Sequence, residues 1–228
     1  MTLSADGRME RYFELMRARP DLFENVADGI EILLDPETIA RAQSEVRDKR
    51  VDMGLESDDL RVGMIADDPF MTFVRDAVRF PDGSLGLHNR IVERESVAVL
   101  PLLDGKPVLI NIFRHGLRGW SLEFPRGAVE AGESHEDSVR RELLEEIGAH
   151  TLDIVPVGKF TPGGSSLSII AGLYVATIDR VGTPQQAEGI AEIKTVTCEE
   201  LEELISSGEI IDGFSLSLFA RARLSGLI

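Results

Sequence analysis

The chain is poor in several things, and each shortage excludes something. Its 228 residues include one cysteine, Cys198, so no intrachain disulfide can form. Followed by Glu199 and Glu200, that cysteine reads as the start of a helix rather than as a nucleophile. Basic charge is scarce: 24 Lys and Arg stand against 40 Asp and Glu, a formal net charge of −16. Non-specific binding to nucleic acid or to an anionic membrane needs basic patches, so neither is expected as a partner. No stretch approaches the roughly 18 apolar residues of a membrane span. The opening MTLSADGRMERYF has no apolar run of the signal-peptide kind, so the chain is expected to be cytoplasmic. His88, His115, His135 and His150 lack cysteine partners and zinc-ligand spacing, and read as ordinary polar residues. There is no internal repeat and no low-complexity tract. The length is enough to bury a sizeable core.

Residues 1–8 read as a disordered start. Met9, Tyr12, Phe13 and Met16 then follow helical spacing up to Pro20. Asp35 followed by Pro36 reads as an N-cap with proline at the first helical position, opening a helix to about Arg47. Residues 48–68 are charged and weakly periodic, and are expected to be a linker. From Phe70 the pattern changes to period two. FMTFVRDAVRF and LGLHNRIV flank a PDGS turn, a β-hairpin. Ser96–Leu103 and Lys106–Phe113 flank Asp104-Gly105, a second hairpin with a type I′ turn. WSLEF, Val155–Phe160, Ser168–Ile178 and Ile193–Thr197 complete the strands, and helices over Glu199–Ser206 and Phe214–Leu224 close the chain. This pattern predicts an α+β fold, a mixed sheet flanked by helices. The division expected is a helical appendage and linker over 1–69 and a second domain over 70–228.

The organising stretch is GAVEAGESHEDSVRRELLEEIGA, from Gly127 to Ala149. Ser134 reads as a helix N-cap and Gly148 as a left-handed C-cap. Val139, Leu143 and Ile147 form one apolar stripe, so a helix is predicted over about His135 to Ile147. Glu142, Glu145 and Glu146 stand at i, i+3 and i+4, which brings their Cβ atoms within about 5–6 Å. Carboxylates that close repel unless a cation sits among them, and their oxygens are the hard ligands Mg²⁺ or Mn²⁺ prefers. A solvated acidic helix face has no account of Gly127, Glu133 and Arg141 at their fixed spacing.

That constellation resembles the Nudix box, G-x5-E-x7-R-E-U-x-E-E-x-G-U, with Ala149 in place of the last bulky aliphatic. The resemblance implies a Nudix-type α/β/α sandwich and metal-dependent pyrophosphate hydrolysis. Beyond the box, residues 70–228 look most like the ADP-ribose pyrophosphatase branch. The pieces that carry this are Ile112-Phe113-Arg114-His115, Leu122-Glu123-Phe124-Pro125, Thr161-Pro162-Gly163-Gly164 and Ile211-Asp212-Gly213-Phe214. The resemblance implies Mg²⁺ or Mn²⁺ held by Glu142, Glu146 and Glu145 with the backbone carbonyl of Arg126. It also implies Glu133 paired with Arg141, Arg114 meeting the substrate's phosphates, and Glu123 recognising the base. Two departures stand out. Arg126 occupies a position where that branch usually has a small residue. The loop Gly164-Ser165-Ser166-Leu167 lacks the carboxylate that orients the attacking water, leaving Glu188, Glu192 or a box glutamate as substitutes. The implied substrate is a nucleoside diphosphate linked to another group, ADP-ribose or a related nucleotide sugar. The alternatives are a dinucleotide, a nucleoside triphosphate, or a regulatory module that binds nucleotide without cleaving it. A homodimer is expected, formed by the apolar faces of the first helix and of the 70–92 hairpin (Phe73, Val74, Val78, Phe80).

Overall fold

The computed structural model describes residues 5–185 and 189–228. It divides into two compact units, one reaching to Glu93 and including Gly163–Ser168, the other formed by Arg94–Pro162 and Ile169–Ile228.

In the first unit, α1 (Ala5–Ala18) begins within the stretch expected to be disordered. Next come β1 (Glu31–Leu33) and α2 (Pro36–Asp52). Asp35 caps α2 as predicted, accepting from the Thr38 and Glu37 N–H groups at 2.8 and 3.3 Å. The expected linker is not one. α2 runs to Asp52, and β2 (Gly63–Asp67) pairs antiparallel with β3 (Met71–Arg79). Leu60, Val62 and Met64 alternate into the core beneath the charged residues that hid their period. β3 and β4 (Leu85–Glu93) form the predicted hairpin, in register from Met71↔Glu93 to Arg79↔Leu85. The two-residue β10 (Leu167–Ser168) adds to β4 in parallel. The boundary therefore falls at Glu93/Arg94 and not at 69/70, and the appendage is an α+β unit with its own five-stranded sheet. Its apolar faces close on one another: Tyr12, Met64, Val74 and Val92 share a core with Met9, Phe13 and Phe23.

The second unit carries the sandwich. β5 (Ser96–Leu103) and β6 (Lys106–Arg114) turn at Asp104 and Gly105, both at positive φ as a type I′ turn requires. Their ladder lasts only two pairs, Leu102↔Pro107 and Leu103↔Lys106. Beyond it each strand takes a new partner: β7 (Gly119–Glu123) pairs with β6, and the unpredicted β8 (Arg126–Ala128) with β5. The hairpin is thus forked, and Phe124-Pro125 crosses from one prong to the other. β11 (Ala171–Ile178) runs parallel to β5 and antiparallel to β9 (Thr151–Phe160), and β12 (Ile190–Thr195) pairs with β6. One sheet face packs Val97, Val99, Val108, Ile110 and Ile112 against α3 (His135–Ile147). The other packs Ala98, Leu100, Leu109 and Leu173 against α4 (Cys198–Ser206) and α5 (Gly213–Leu224). Strict alternation along β5 serves both layers, giving the expected α/β/α arrangement. Cys198 does open α4, behind a capping box of Thr197 and Glu200.

Candidate active site

The site is built on α3 and the fork. Ser134 caps α3, accepting from the Asp137 N–H at 3.1 Å, and Gly148 ends it at φ 63°. Val139, Leu143 and Ile147 are fully buried. Ala149 is buried beside them, so its small side chain is a packing feature. Glu142 and Glu146 flank this stripe and are themselves buried, Glu146 at 2% exposure. Gly127 on β8 explains part of that burial, because a Cβ there would overlap the Glu142 carboxylate. The backbone N–H of Arg126 donates to Glu146 Oε2 at 3.0 Å. The fork prong and the helix therefore meet through the glutamates.

Arg141 spends every donor it has. Nε and Nη2 bind Glu133 at 2.8 and 3.0 Å, Nη1 binds Glu142 at 2.7 Å and Glu145 at 3.1 Å, and Nη2 also binds the Ala128 carbonyl at 2.8 Å. Glu133 further accepts from the Ser138 hydroxyl at 2.6 Å and the Glu130 N–H at 3.1 Å. Arg141 above all, then Ser138, hold the Glu133 carboxyl down to about 2. The same bonds push the Arg141 guanidinium above its usual range, Glu133 first.

On the other prong, Arg114 donates to Glu123 from Nε at 3.0 Å and from Nη2 at 2.6 Å, and Arg126 Nε donates to Glu123 at 3.3 Å. Glu123 is 2% exposed. Burial pushes its carboxyl up, but hydrogen bonding and charge from Arg114 outweigh it, and the net shift is downward. The guanidinium of Arg126 lies over the Phe214 ring, 4.7 Å from its centroid.

A cleft of about 360 Å³ is walled by Arg94, Arg114, Arg126 and Arg141. Facing them are Glu130, Glu142, Glu145 and Glu146. A second cleft of about 430 Å³ shares Arg114 and Arg126 with the first and is floored by Ser121, Glu123 and Asp212. The structure thus brings together seven of the eight residues singled out from sequence in or between these clefts, with Glu133 behind them on Arg141. Arg94 and Glu130 were missed, since single charges carry no pattern. Among the described residues no three carboxylate, imidazole or thiolate groups converge closely enough to hold a cation as they stand. Glu142 and Glu145 are turned onto Arg141, and Glu146 onto the Arg126 N–H. Of the proposed substitutes for the loop carboxylate, Glu192 is exposed on β12 and Glu188 lies outside the described residues.

The NUDIX domain family model matches residues 92–213, more than half of the chain. The chain belongs to the Nudix family. Members of this family generally use divalent metal ions. Among curated relatives, the Nudix chain is 28% identical over 119 residues to the ADP compounds hydrolase NudE of Escherichia coli (strain K12), covering 51% of this chain and 64% of that protein. It is 27% identical over 139 residues to the ADP-ribose pyrophosphatase of Bacillus subtilis (strain 168), covering 59% and 75%. It is 34% identical over 107 residues to the ADP-ribose pyrophosphatase of Escherichia coli (strain K12), covering 42% and 49%. The chain spans less than two thirds of the first and third of these. A crystal structure of an ADP compounds hydrolase superposes with a TM-score of 0.65 at 22% identity, covering 74% of this chain and 94% of that one, a likeness of fold. The matched region begins at residue 92, beside the boundary between the two units.

Proposed function

We propose that this Nudix chain hydrolyses the pyrophosphate bond of a nucleoside diphosphate linked to a second group, with ADP-ribose or a related nucleotide sugar as substrate and Mg²⁺ or Mn²⁺ as cofactor. The observation that carries this is the cleft in which Glu142, Glu145 and Glu146 face Arg114 and Arg126. Its four guanidiniums and four carboxylates formally cancel. A divalent cation and the two charges of a diphosphate therefore enter together without leaving net charge behind.

The donor set fits such a cation: hard carboxylate oxygens, one of them lodged against a glycine where a Cβ would intrude. Glu142, Glu145, Glu146 and the Arg126 carbonyl would hold it. A bound divalent cation supplies charge neutralisation at phosphorus and a more acidic water. The chain's own residues do the rest. Arg141, locked on Glu133, sets the positions of Glu142 and Glu145. Arg114, held by Glu123, binds a phosphate oxygen. Among the described residues Glu123 Oε1 accepts a shared bond from Arg114 Nε, at 3.1 Å, which leaves capacity to accept from a nucleobase N–H.

The test is turnover of a nucleotide panel with Mg²⁺ and Mn²⁺. Release of AMP from ADP-ribose is the expected result. Inorganic phosphate or pyrophosphate from triphosphates alone would move the substrate class. Metal-independent binding without turnover of any panel member would favour a regulatory binder, a reading the carboxylate-free loop Gly163–Ser168 supports. A symmetric dimer remains part of the proposal. Its support is no longer the faces of α1 and the hairpin, which are closed within their own unit, but exposed Phe70, Met71, Val51 and Met53 on that unit. A monomer by light scattering at micromolar concentration would remove it.

A further inference from the structure

Arg126 and Arg141 are both arginines of the same cleft, and they differ in what is left of their hydrogen-bonding capacity. All five N–H groups of Arg141 are spent within the protein. Among the described residues, the guanidinium of Arg126 makes one hydrogen bond, Nε to Glu123 at 3.3 Å, so the four N–H groups of Nη1 and Nη2 are unspent. Arg114 likewise directs Nε and Nη2 to Glu123 and leaves Nη1 over. The unspent donors belong to the two side chains shared by both clefts.

The position of Arg126 is fixed from two ends. Its backbone N–H is held by Glu146, and its guanidinium is stacked on Phe214 and tied to Glu123. Such a side chain has lost its rotamer freedom before any ligand arrives, so a ligand that meets it gains the hydrogen bonds at small entropic cost. Two guanidiniums on one buried carboxylate leave a formal charge of +1 at the seam between the clefts, in a chain of −16. Any molecule that occupies both clefts crosses that seam. The group that satisfies a fork of N–H donors and a positive charge is an oxyanion.

We propose that Arg126 is a substrate-binding, specificity-determining residue. Together with Arg114 it holds the phosphoryl group that lies away from Glu142, Glu145 and Glu146 when a diphosphate diester spans the two clefts. Phe214 acts through it as a positioning residue. This rests on the reading of the site as a pyrophosphohydrolase centre, and it makes the protein favour two-group diphosphates over nucleoside monophosphates.

The decisive variant is Arg126→Met, which keeps length and contact with Phe214 while removing charge and donors. Binding is read by calorimetry with α,β-methylene ADP-ribose, which needs no turnover. R126M is expected to weaken it roughly ten- to hundredfold, the scale of lost hydrogen bonds to a charged group. AMP binding should change less than about threefold. With cleavable ADP-ribose, KM should rise and kcat should fall as well, because the phosphoryl group that Arg126 holds is one of the two joined by the bond that breaks and gains charge in the transition state. Arg126→Lys, which keeps charge and loses the fork and the stack, should fall between the two. Phe214→Leu should raise KM by a smaller factor than R126M. If R126M, with a normal melt, binds the analogue within twofold of the wild type, the proposal is overturned while the parent reading stands. A wild type that neither cleaves nor binds any diphosphate diester overturns the parent reading and this proposal with it.

Discussion

Both units of this protein bury charge, and they do opposite things with it. In the first unit, Asp76 sits at 1% exposure between the Tyr12 hydroxyl, which donates to it at 2.5 Å, and Arg90, whose Nε donates at 2.6 Å. Arg90 also reaches the Leu22 carbonyl at 2.7 Å and covers the Phe23 ring. Burial first, then Asp76, pushes the Tyr12 phenol far above its usual value. The network is closed on itself: Asp76 Oδ1 accepts from Tyr12 and from Arg90 Nη2, and Oδ2 accepts from Arg90 Nε. In the second unit the glutamates of α3 and the arginines of the fork line clefts, and two of those arginines keep donors unspent. A perturbed or buried charge is therefore a weak pointer to function by itself. What separates the two regions is unspent valence facing open space.

The largest expected effect sharpens that contrast from the active side. Glu146→Gln keeps shape and hydrogen-bonding length and removes one charge from the proposed cation site. kcat should fall by roughly 10²–10⁴-fold, the scale of losing a principal electrostatic stabiliser, with the melting temperature nearly unchanged. Activity within threefold of wild type in a normally folded variant would reject the ligand assignment.

The corresponding break in the closed network should appear as stability. Asp76→Ala leaves Arg90, with a side chain only 15% exposed, without its carboxylate. The expected cost is about 3–5 kcal/mol, the scale of removing one partner of a buried ion pair. Tyr12→Phe removes one hydrogen bond and keeps the pair, and should cost about 1 kcal/mol. Denaturant unfolding of the three proteins reads both. Equal costs for the two variants would mean that the ion pair is not what holds Asp76 in place.

Next in size is the coupling of Arg141 to Glu133. Both Glu133 oxygens are bound by Arg141, so Arg141→Ala and Glu133→Ala should be non-additive in activity, the double variant losing less than the two single losses combined. Arg141→Ala should be the worse single change, because it also frees Glu142, Glu145 and the Ala128 carbonyl. Additive losses would assign the two residues separate roles.

The same contrast explains what could be read before the structure. α3 was legible to its ends because three signals coincide there: Ser134 as cap, Gly148 as stop and a four-residue apolar stripe between. The bidentate partner of Arg141 was legible because box spacing fixes it. Val139 and Leu143 name their own face, and Glu142 and Glu146 follow from it. The first unit was misread where its pattern is diluted. The segment entering β2 buries alternating Leu60 and Val62, and β2 itself Met64, in a stretch whose charged residues mask period two. The fork was illegible, since β8 has three residues and no propensity signal, and its pairing with β5 is set by tertiary contacts. For the same reason the sequence offers Arg126 as a departure from a family pattern and, through the resemblance, as a backbone-carbonyl metal ligand, with no role for its side chain. Its stack on Phe214 joins positions 88 residues apart (214 minus 126), a contact no local periodicity encodes.

The smallest expected effect tests whether the α3 cluster is electrostatically closed on its Arg141 side. Glu133 is held at about 2 against an ordinary 4.5, by Arg141 first and Ser138 second. A carboxyl whose pKa is depressed by folding contributes stability that is full above its unfolded value and is lost as pH falls through its folded value. The window here runs from 4.5 down to about 2. Asp59 in the first unit is also held low, by Arg61, so acid weakens both units and the wild-type curve alone cannot assign the loss. The difference in melting temperature between wild type and Glu133→Gln isolates it. That difference should be flat at and above pH about 5.5, shrink below 4.5 and approach its minimum near 2. High salt should narrow it, because the Glu133 side chain is partly exposed. A difference that does not change with pH would show that the Glu133 charge is not coupled to folding, and Arg141 would then be held by Glu142, Glu145 and the Ala128 carbonyl alone.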